Sequence, residues 1–407
     1  MKSVVFVAPF FAETTLRFVS AASLTEGART TLVTQEPAEK LPPALRSRLA
    51  GHVRVPDALE PRTVRAAVEQ VARGAGGRVE RLLGTLEELQ VPLGEGRDTL
   101  GIEGMGAEAG RNFRDKARMK EVLRAHGLPC ARHALAHTPA EAEAFVAEVG
   151  YPVIVKPQAG SGSRGTYRLA GPDDLAGCLR SMPPTPARPL VFEEFIVGEE
   201  HSFDSITLGG RPVWYSINDY LPGALDVIRE PWIQWCVLLP REVEDPRYDG
   251  IRRVAADALA ALGMDTGMSH MEWFRRPDGP VAISEVGARP PGPRFVHLVS
   301  GAHDFDLFRA WADVVIHGRF TPRPRPYAAG AAYLRGQGTG RVKRVHGLDD
   351  VLARLGPLVV EKRIPAPGQP TTGTYEGEGF ILVRHPETRV VRDALARIVS
   401  TVRVELA

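Results

Sequence analysis

A chain of 407 residues with 43% hydrophobic and 25% charged residues has the make-up of a globular protein and length for about two to four domains. Its 51 basic and 49 acidic residues leave a formal charge of +2, which gives no strong field for nucleic acid or a membrane surface. Cys130, Cys178 and Cys236 lie far apart with no C-x-x-C spacing, which argues for a reducing, cytoplasmic setting and against structural zinc.

The N-terminal stretch "MKSVVFVAPFFAETTLRFVSAAS" carries a lysine and an apolar run, as a signal peptide would, but Glu13 and Arg17 interrupt the run. A strand from Val4 to Val7 and a helix from about Thr14 account for it better. "RTTLVT" and "GHVRVP" follow as strands, and "PRTVRAAVEQVARG" and "RVERLLGTLEEL" carry helical periodicity. Strands alternating with helices predict a parallel α/β unit over residues 1–111. No run of 18 apolar residues is present, so no membrane span is expected.

From Asn112 the pattern changes. "RDKARMKEVLRAHGLP" reads as an amphipathic helix stopped by Gly127 and Pro129. A second helix starts at Pro139 behind Thr138 as N-cap, with Glu141 placed for a capping box. Next comes "IVKPQAGSGSRGTYRL", whose Gly160, Gly162 and Gly165 spell G-x-G-x-x-G. A dinucleotide fold needs a helix after those glycines. Here Thr166 to Leu169 alternates as a strand, and Lys156 precedes the loop, which excludes the Walker pattern as well. The segment reads as strand, lysine, glycine hairpin, strand: either a mobile turn or a phosphate clamp of backbone amides beside a cation.

"RPLVFEEFIVGEEHSFDSITLGGRPVWYSI" predicts a strand, a break at Gly198 and a long hairpin about Gly209–Gly210. "DGIRRVAADALAALGM" predicts a helix, and "GMSHMEWFRRPDGPVAISEVGARPPG" a hairpin turning at Pro277-Asp-Gly. That hairpin sets Glu272 and Glu285 on facing strands, paired with neighbouring Arg275, Arg276 and Arg289 or else separated by a cation. Beyond residue 330 come strands at "AAYLRG" and "GEGFILVRH" and a final helix at "VVRDALARIVS".

In order, "DK" on a helix, a lysine before a glycine hairpin, "EE-x-x-x-G-x-E" and a hairpin ending "E-V-x-x-R" resemble the ATP-grasp family, and "GTYEGEGFILV" is similar to the closing segment of its amino-acid ligases and biotin-carboxylase-like members. The resemblance covers nearly the whole chain. It implies an α/β fold with four units: an N-terminal domain over 1–111, a small subdomain with the glycine hairpin over 112–188, a metal-binding subdomain over 189–330 and a closing segment over 331–407. It also implies that Lys116 and Lys156 hold ATP phosphates under a loop containing Ser161, Gly162, Ser163 and Gly165. Glu193, Glu194, Phe195 and Ile196 would belong to the nucleotide-binding hinge, with the backbone from Glu194 to Ile196 meeting adenine, and Glu200 would hold ribose. Glu272 and Glu285 would bind magnesium, with manganese as a substitute, and Arg289 would steady an acyl-phosphate. The family's asparagine two residues after the second glutamate is replaced by Gly287, so a water is expected where its oxygen would stand.

The chemistry implied is ATP-dependent coupling of a carboxylate to an amine, with amino-acid-like substrates expected and Lys156, Arg289 and Arg294 as catalytic candidates. His270, on the strand face of Glu272, either lines the site or is a satisfied semi-buried histidine; Trp232 and Trp235 either line a pocket or fill a core. Rival readings are a carboxylase or purine-type ligase, for which no Met-Lys carrier motif is visible, and a nucleotide-binding regulator without turnover. Small-molecule substrates are the expected partners, with no nucleic acid and no membrane. Oligomeric state is not legible, with a homodimer allowed for.

Overall fold

Val4, Val5, Phe6 and Val7 are all 0% exposed, and a strand buried on both faces belongs in a parallel sheet covered by helices. In the computed structural model, which describes residues 1–74, 77–160, 165–230, 233–292, 294–374 and 376–407, they lie in β1 (Lys2–Val7). With β2 (Ala28–Thr34), β3 (Gly51–Arg54) and β4 (Arg81–Leu83) it forms a parallel sheet in the order β3-β2-β1-β4. The expected helix over "RVERLLGTLEEL" is corrected here. Arg81–Leu83 is the strand beside β1, and Glu87–Leu89 is a single 3-10 turn. Leu82 and Leu83 are buried on opposite faces; with Leu86 and Leu89 they imitate a helical spacing that a short buried strand also satisfies.

The helix Lys116–Ala125 is capped by Asp115, which accepts from the backbone of Ala117 (3.0 Å) and Arg118 (3.1 Å). It ends before Gly127, at φ +68°. The helix Pro139–Val149 starts as expected on Thr138, which accepts from Glu141 N at 3.3 Å, while Glu141 reaches back to His137 N at 2.6 Å. Around these helices β5 (His133–Ala136), β6 (Val153–Pro157), β7 (Tyr167–Leu169) and β8 (Leu190–Glu194) form an antiparallel sheet in the order β5-β8-β6-β7. The glycine segment thus joins two paired strands, β6 and β7. Ser161, Gly162 and Ser163 lie outside the described residues.

The larger sheet begins with β9 (Glu199–Leu208) and β10 (Arg211–Leu221), joined through Gly209 and Gly210, both at positive φ. It continues with β11 (Trp235–Leu239), β12 (Gly267–Arg275), β13 (Val281–Gly287) and β14 (Ala328–Leu334). After them come β15 (Gly336–Gln337), β16 (Val342–His346), β17 (Val359–Arg363), β18 (Gly379–His385) and β19 (Arg403–Leu406). The large sheet runs β13-β12-β9-β10-β11-β14-β18-β17, and β15-β19-β16 form a small sheet of their own. The C-terminal strands therefore extend the sheet that carries the Glu272–Glu285 hairpin, and β14 straddles residue 330.

One apolar core joins the N-terminal sheet to the rest. Trp311 packs edge-on against Phe6 (5.8 Å) and Phe18 (4.9 Å), and the same core contains Trp235, Phe295 and Tyr333. The C-terminal ends of β1 and β4 are thereby held facing the loop that follows β13. Among the described residues, no helix is long and apolar enough to cross a membrane.

Helices Gln90–Leu100 and Ala107–Arg114 follow β4 and touch at Gly94, where an added Cβ would stand 2.6 Å from the Ala107 backbone. Gly94→Ala is expected to cost about 1–3 kcal/mol by forcing the helices apart. Gly177→Ala, on a helix face where the nearest atom is 3.9 Å away, should be neutral or stabilising by up to about 1 kcal/mol. Denaturant unfolding of both variants checks the pair; equal midpoints would contradict this packing.

Candidate active site

Between the small sheet and the large one lies a cavity of about 410 Å³, lined by Lys116, Lys156, Glu272 and Glu285 and along the hinge by Glu193 to Gly198. Helix Lys116–Ala125 presents two lysines one turn apart. Lys116 Nζ lies 2.9 Å from Glu285 Oε1 and 2.9 Å from the Gly160 carbonyl. Lys120, 0% exposed, donates to the Ser284 carbonyl at 2.5 Å and stands 3.1 Å from Glu193 Oε1. Lys156, at the end of β6, meets the same Glu193 oxygen at 2.9 Å.

These pairings fix the charges. Burial opposes a charge on Glu193, but Lys120 and Lys156 outweigh it and hold the carboxyl below its ordinary range. Burial likewise works against the Lys156 ammonium, yet Glu193 and Glu285 raise its pKa. Glu285 is pulled down to about 2 against burial, chiefly by Lys116 and then Lys156. At Lys120 burial outweighs Glu193 and lowers the pKa. The cavity end therefore holds an array of closely opposed basic and acidic side chains.

Glu272 and Glu285 face each other directly across β12 and β13, at a register shift between Glu272 and Trp273. His270 shares the Glu272 face: its Nε2 is 3.7 Å from Glu272 Oε1, and its Nδ1 is 2.6 Å from the buried Asp204. The other Asp204 oxygen accepts from Asn218 at 2.7 Å. Burial would lower the His270 pKa, but Asp204 raises it to about 9. His270 thus both lines the cavity and is satisfied from beneath. Among the described residues no cluster of three or more His, Cys, Asp or Glu is arranged around one point as a metal cage. Two opposed carboxylates do suit magnesium, which takes one or two protein carboxylates and completes its shell with phosphate oxygens and water.

At the hinge, Glu194 is tied to Arg132 (2.8 Å) and Arg276 (3.3 Å), and the Arg168 guanidinium lies 4.3 Å over the Phe195 ring. Ile196 lines the cavity beside them. Glu200 accepts from Ala224 N at 2.7 Å, and burial, followed by the nearby Glu272, pushes its carboxyl up to about 8. Tyr220, Trp235 and Phe295 line the wall beyond. Trp235 also stacks on Tyr333 at 4.9 Å, so it belongs to pocket and core at once; Trp232 lies outside the described residues.

Glu193, expected as a nucleotide-binding hinge residue, lines the cavity and is at the same time the buried shared counter-ion of two lysines. Arg294, expected beside Arg289, does not line the cavity. It is engaged by Glu13 (3.1 Å), Glu361 (3.3 Å) and the Phe380 ring (4.3 Å). Arg289 does line it, held at Nε by Glu87 at 2.6 Å, and so does Gly165 fall close by, against Pro157. Sequence reasoning passed over Lys120, Arg168, Asp204 and Glu87. Only Lys120 carried a usable signal, standing four residues after Lys116 on one helix face.

Lys120→Met keeps the aliphatic stem but leaves Glu193 with a single ammonium. Breaking a buried pair in this way should cost about 3 kcal/mol, and adding Glu193→Gln should recover part of it. Denaturant unfolding of the single and double variants checks this; additive losses would contradict the shared pairing.

Comparison with known proteins agrees with this arrangement. Residues 121–292 match the ATP-grasp domain. The chain is 28% identical over 296 residues to the uncharacterized protein y4rH of Sinorhizobium fredii, covering 71% of this chain and 60% of that one. It is 24% identical over 247 residues to an L-arginine-specific L-amino acid ligase of Bacillus subtilis, covering 59% of each. It thus spans about three fifths of the length of these relatives. The crystal structure of an L-amino acid ligase from Bacillus licheniformis superposes with a TM-score of 0.78 at 18% identity, covering 100% of this chain and 99% of that one, which shows a common fold. Residues 121–292, which match the ATP-grasp domain, hold all the cavity-lining residues except Lys116 and Phe295.

Proposed function

We propose that this protein is an ATP-dependent ligase that joins a carboxylate to an amine, with amino-acid-like substrates, and releases ADP and phosphate. The observation that carries the reading is that one cavity of about 410 Å³ is lined by two lysines, two opposed glutamates and the hinge residues Glu194 to Ile196. The relatives' names support the same class of reaction.

In this reading adenine lies along the backbone of Glu194 to Ile196, near the Phe195 ring, and Glu200 accepts from the ribose hydroxyls. Lys116 and Lys156 exchange their carboxylate partners for phosphate oxygens, acting as point charges. Glu272 and Glu285 would hold magnesium, or manganese, which would supply charge neutralisation at the phosphates. The substrate carboxylate attacks the γ-phosphorus, giving an acyl-phosphate and ADP. The amine then attacks the acyl carbon and expels phosphate. Arg289 steadies the acyl-phosphate oxygens. Catalysis consists of positioning and charge neutralisation. The glycine hairpin between β6 and β7, with Gly165 at its described edge, covers the phosphates. We take 1–111, 112–188, 189–330 and 331–407 as the working units, and the cytoplasm as the setting that suits three separated free cysteines. A homodimer is a compatible assembly.

An ADP-release screen over pairs of amino acids and small carboxylates tests the reading directly; ATP binding without ADP release on any pair would favour a regulator. Lys156→Met should lower turnover by at least about a hundredfold. Because Lys156 is buried and paired with Glu193, the variant should also lose stability, so turnover is to be compared at a temperature where both proteins are folded. Near-normal ADP release would remove Lys156 from the mechanism. Oxygen-18 placed in the substrate carboxylate should appear in the released phosphate. Label confined to product and unreacted acid would rule out the acyl-phosphate.

A further inference from the structure

Gly287 leaves a place at the cavity without a side chain. In β13 it stands two residues from Glu285, and in a strand such residues share a face. A side chain at 287 would therefore project beside Glu285. Water was the expected occupant of that place. The structure puts a protein carboxylate against it instead. A Cβ on residue 287 would stand 3.1 Å from Glu87 Oε2, 3.5 Å from Arg289 Cγ and 3.7 Å from Arg289 Nε. The same Glu87 oxygen accepts from Arg289 Nε at 2.6 Å, across 202 residues of sequence.

Glu87 arrives there through the N-terminal sheet. Strand β4 ends at Leu83, and Gly84 allows the chain to turn tightly, since a Cβ there would meet Leu89 at 2.8 Å and Leu93 at 2.9 Å. The single 3-10 turn Glu87–Leu89 then points the carboxylate at the loop after β13. Glu87 is 6% exposed. The Arg289 guanidinium is held a second time by Nη1 donating to the Pro290 carbonyl at 3.0 Å.

We propose that Glu87 is a positioning residue of the active site: from the N-terminal sheet it fixes the Arg289 guanidinium at the cavity wall and takes the space a side chain at 287 would use, so that Glu87 and Gly287 form a matched pair. The inference rests on the ligase reading for the role of Arg289, and on geometry alone for the contact. Its consequence is that the N-terminal unit, which carries no nucleotide motif, completes the end of the site where the acyl group reacts. A side chain at 287 and the carboxylate at 87 compete for one place, so the two substitutions must be coupled.

The test uses the full-length protein and two readouts. The first needs no substrate: the Arg289 Nε–H resonance, assigned by its loss in Arg289→Lys, should shift in Glu87→Ala and persist in altered form in Glu87→Gln, which keeps an acceptor oxygen. The second is steady-state kinetics. Glu87→Ala should lower kcat roughly 100-fold, the scale of a misplaced catalytic group, with the KM for ATP within about twofold because nucleotide contacts are untouched. Glu87→Gln should recover a part of kcat. Gly287→Asn should impair kcat alone, and Glu87→Ala with Gly287→Asn should be no worse than the poorer single variant. An unchanged Arg289 resonance in Glu87→Ala overturns the proposal, as do an unchanged kcat or single losses that multiply in the double variant. Failure of the ligase reading is a separate result, an unsubstituted protein that turns over no substrate pair, and the resonance measurement still decides whether Glu87 holds Arg289.

Discussion

Everything at the cavity depends on one buried carboxylate. Glu193 lies at the end of the last strand of the small sheet and holds Lys156 of the neighbouring strand and Lys120 of the adjacent helix on a single oxygen. Lys120 passes the constraint on to the large sheet through the Ser284 carbonyl, next to Glu285. Without Glu193, two ammoniums would face each other in a dry interior, where like charges are strongly unfavourable. With it, a helix, the small sheet and the carboxylate hairpin are fixed to one another by two ion pairs and the Lys120 hydrogen bond rather than by apolar packing alone. Packing tolerates small shifts; a charged triad at about 3 Å spacing does not.

In the proposed reading the array also receives a polyanion. Lys116 is paired with Glu285 and Lys156 with Glu193, and on that reading those pairs stand in for contacts with phosphate. On that reading a triphosphate with its cation would give oxygens to both lysines and a counter-charge to Glu285, which gives up Lys116, while Glu193 keeps Lys120. Nucleotide and metal binding should on this account favour each other, because each releases the groups the other needs. Glu200, whose carboxyl is pushed up to about 8 by burial and then by Glu272, responds to the same charges: nearby positive charge makes its ionisation easier.

Much of this was legible in the sequence. The β9–β10 hairpin announced itself through Gly209–Gly210 and the β12–β13 hairpin through Pro277-Asp-Gly, since turns of this kind require those residues. Strand on both sides of the glycine segment followed from alternation, and the order of motifs pointed to the fold. The rest escaped for physical reasons. Arg78 to Leu89 misled because a short strand buried on both faces has no period of its own. Lys120 stands four residues after Lys116 and so shares its helix face, but that spacing does not reveal the carboxylate on β8 that it meets. Glu87 and Arg289 meet only because β4 lies beside β1 and the N-terminal unit packs through Phe6, Phe18 and Trp311 onto the large sheet. Contacts of that range are set by topology, which residue types do not encode singly. Arg294 shows the converse: a plausible residue in a plausible loop is claimed by Glu13, Glu361 and Phe380 from three other parts of the chain.

The central claim is that the paired lysines and glutamates are exchanged for phosphate and metal. A crystal structure with a non-hydrolysable ATP analogue and manganese, located by its anomalous scattering, tests it most directly. The account predicts Lys116 Nζ moved from Glu285 to a phosphate oxygen, manganese between Glu272 and Glu285, and Lys156 on the phosphates with Lys120 still holding Glu193. A nucleotide bound with the Lys116–Glu285 pair intact, or manganese away from the two glutamates, would contradict it.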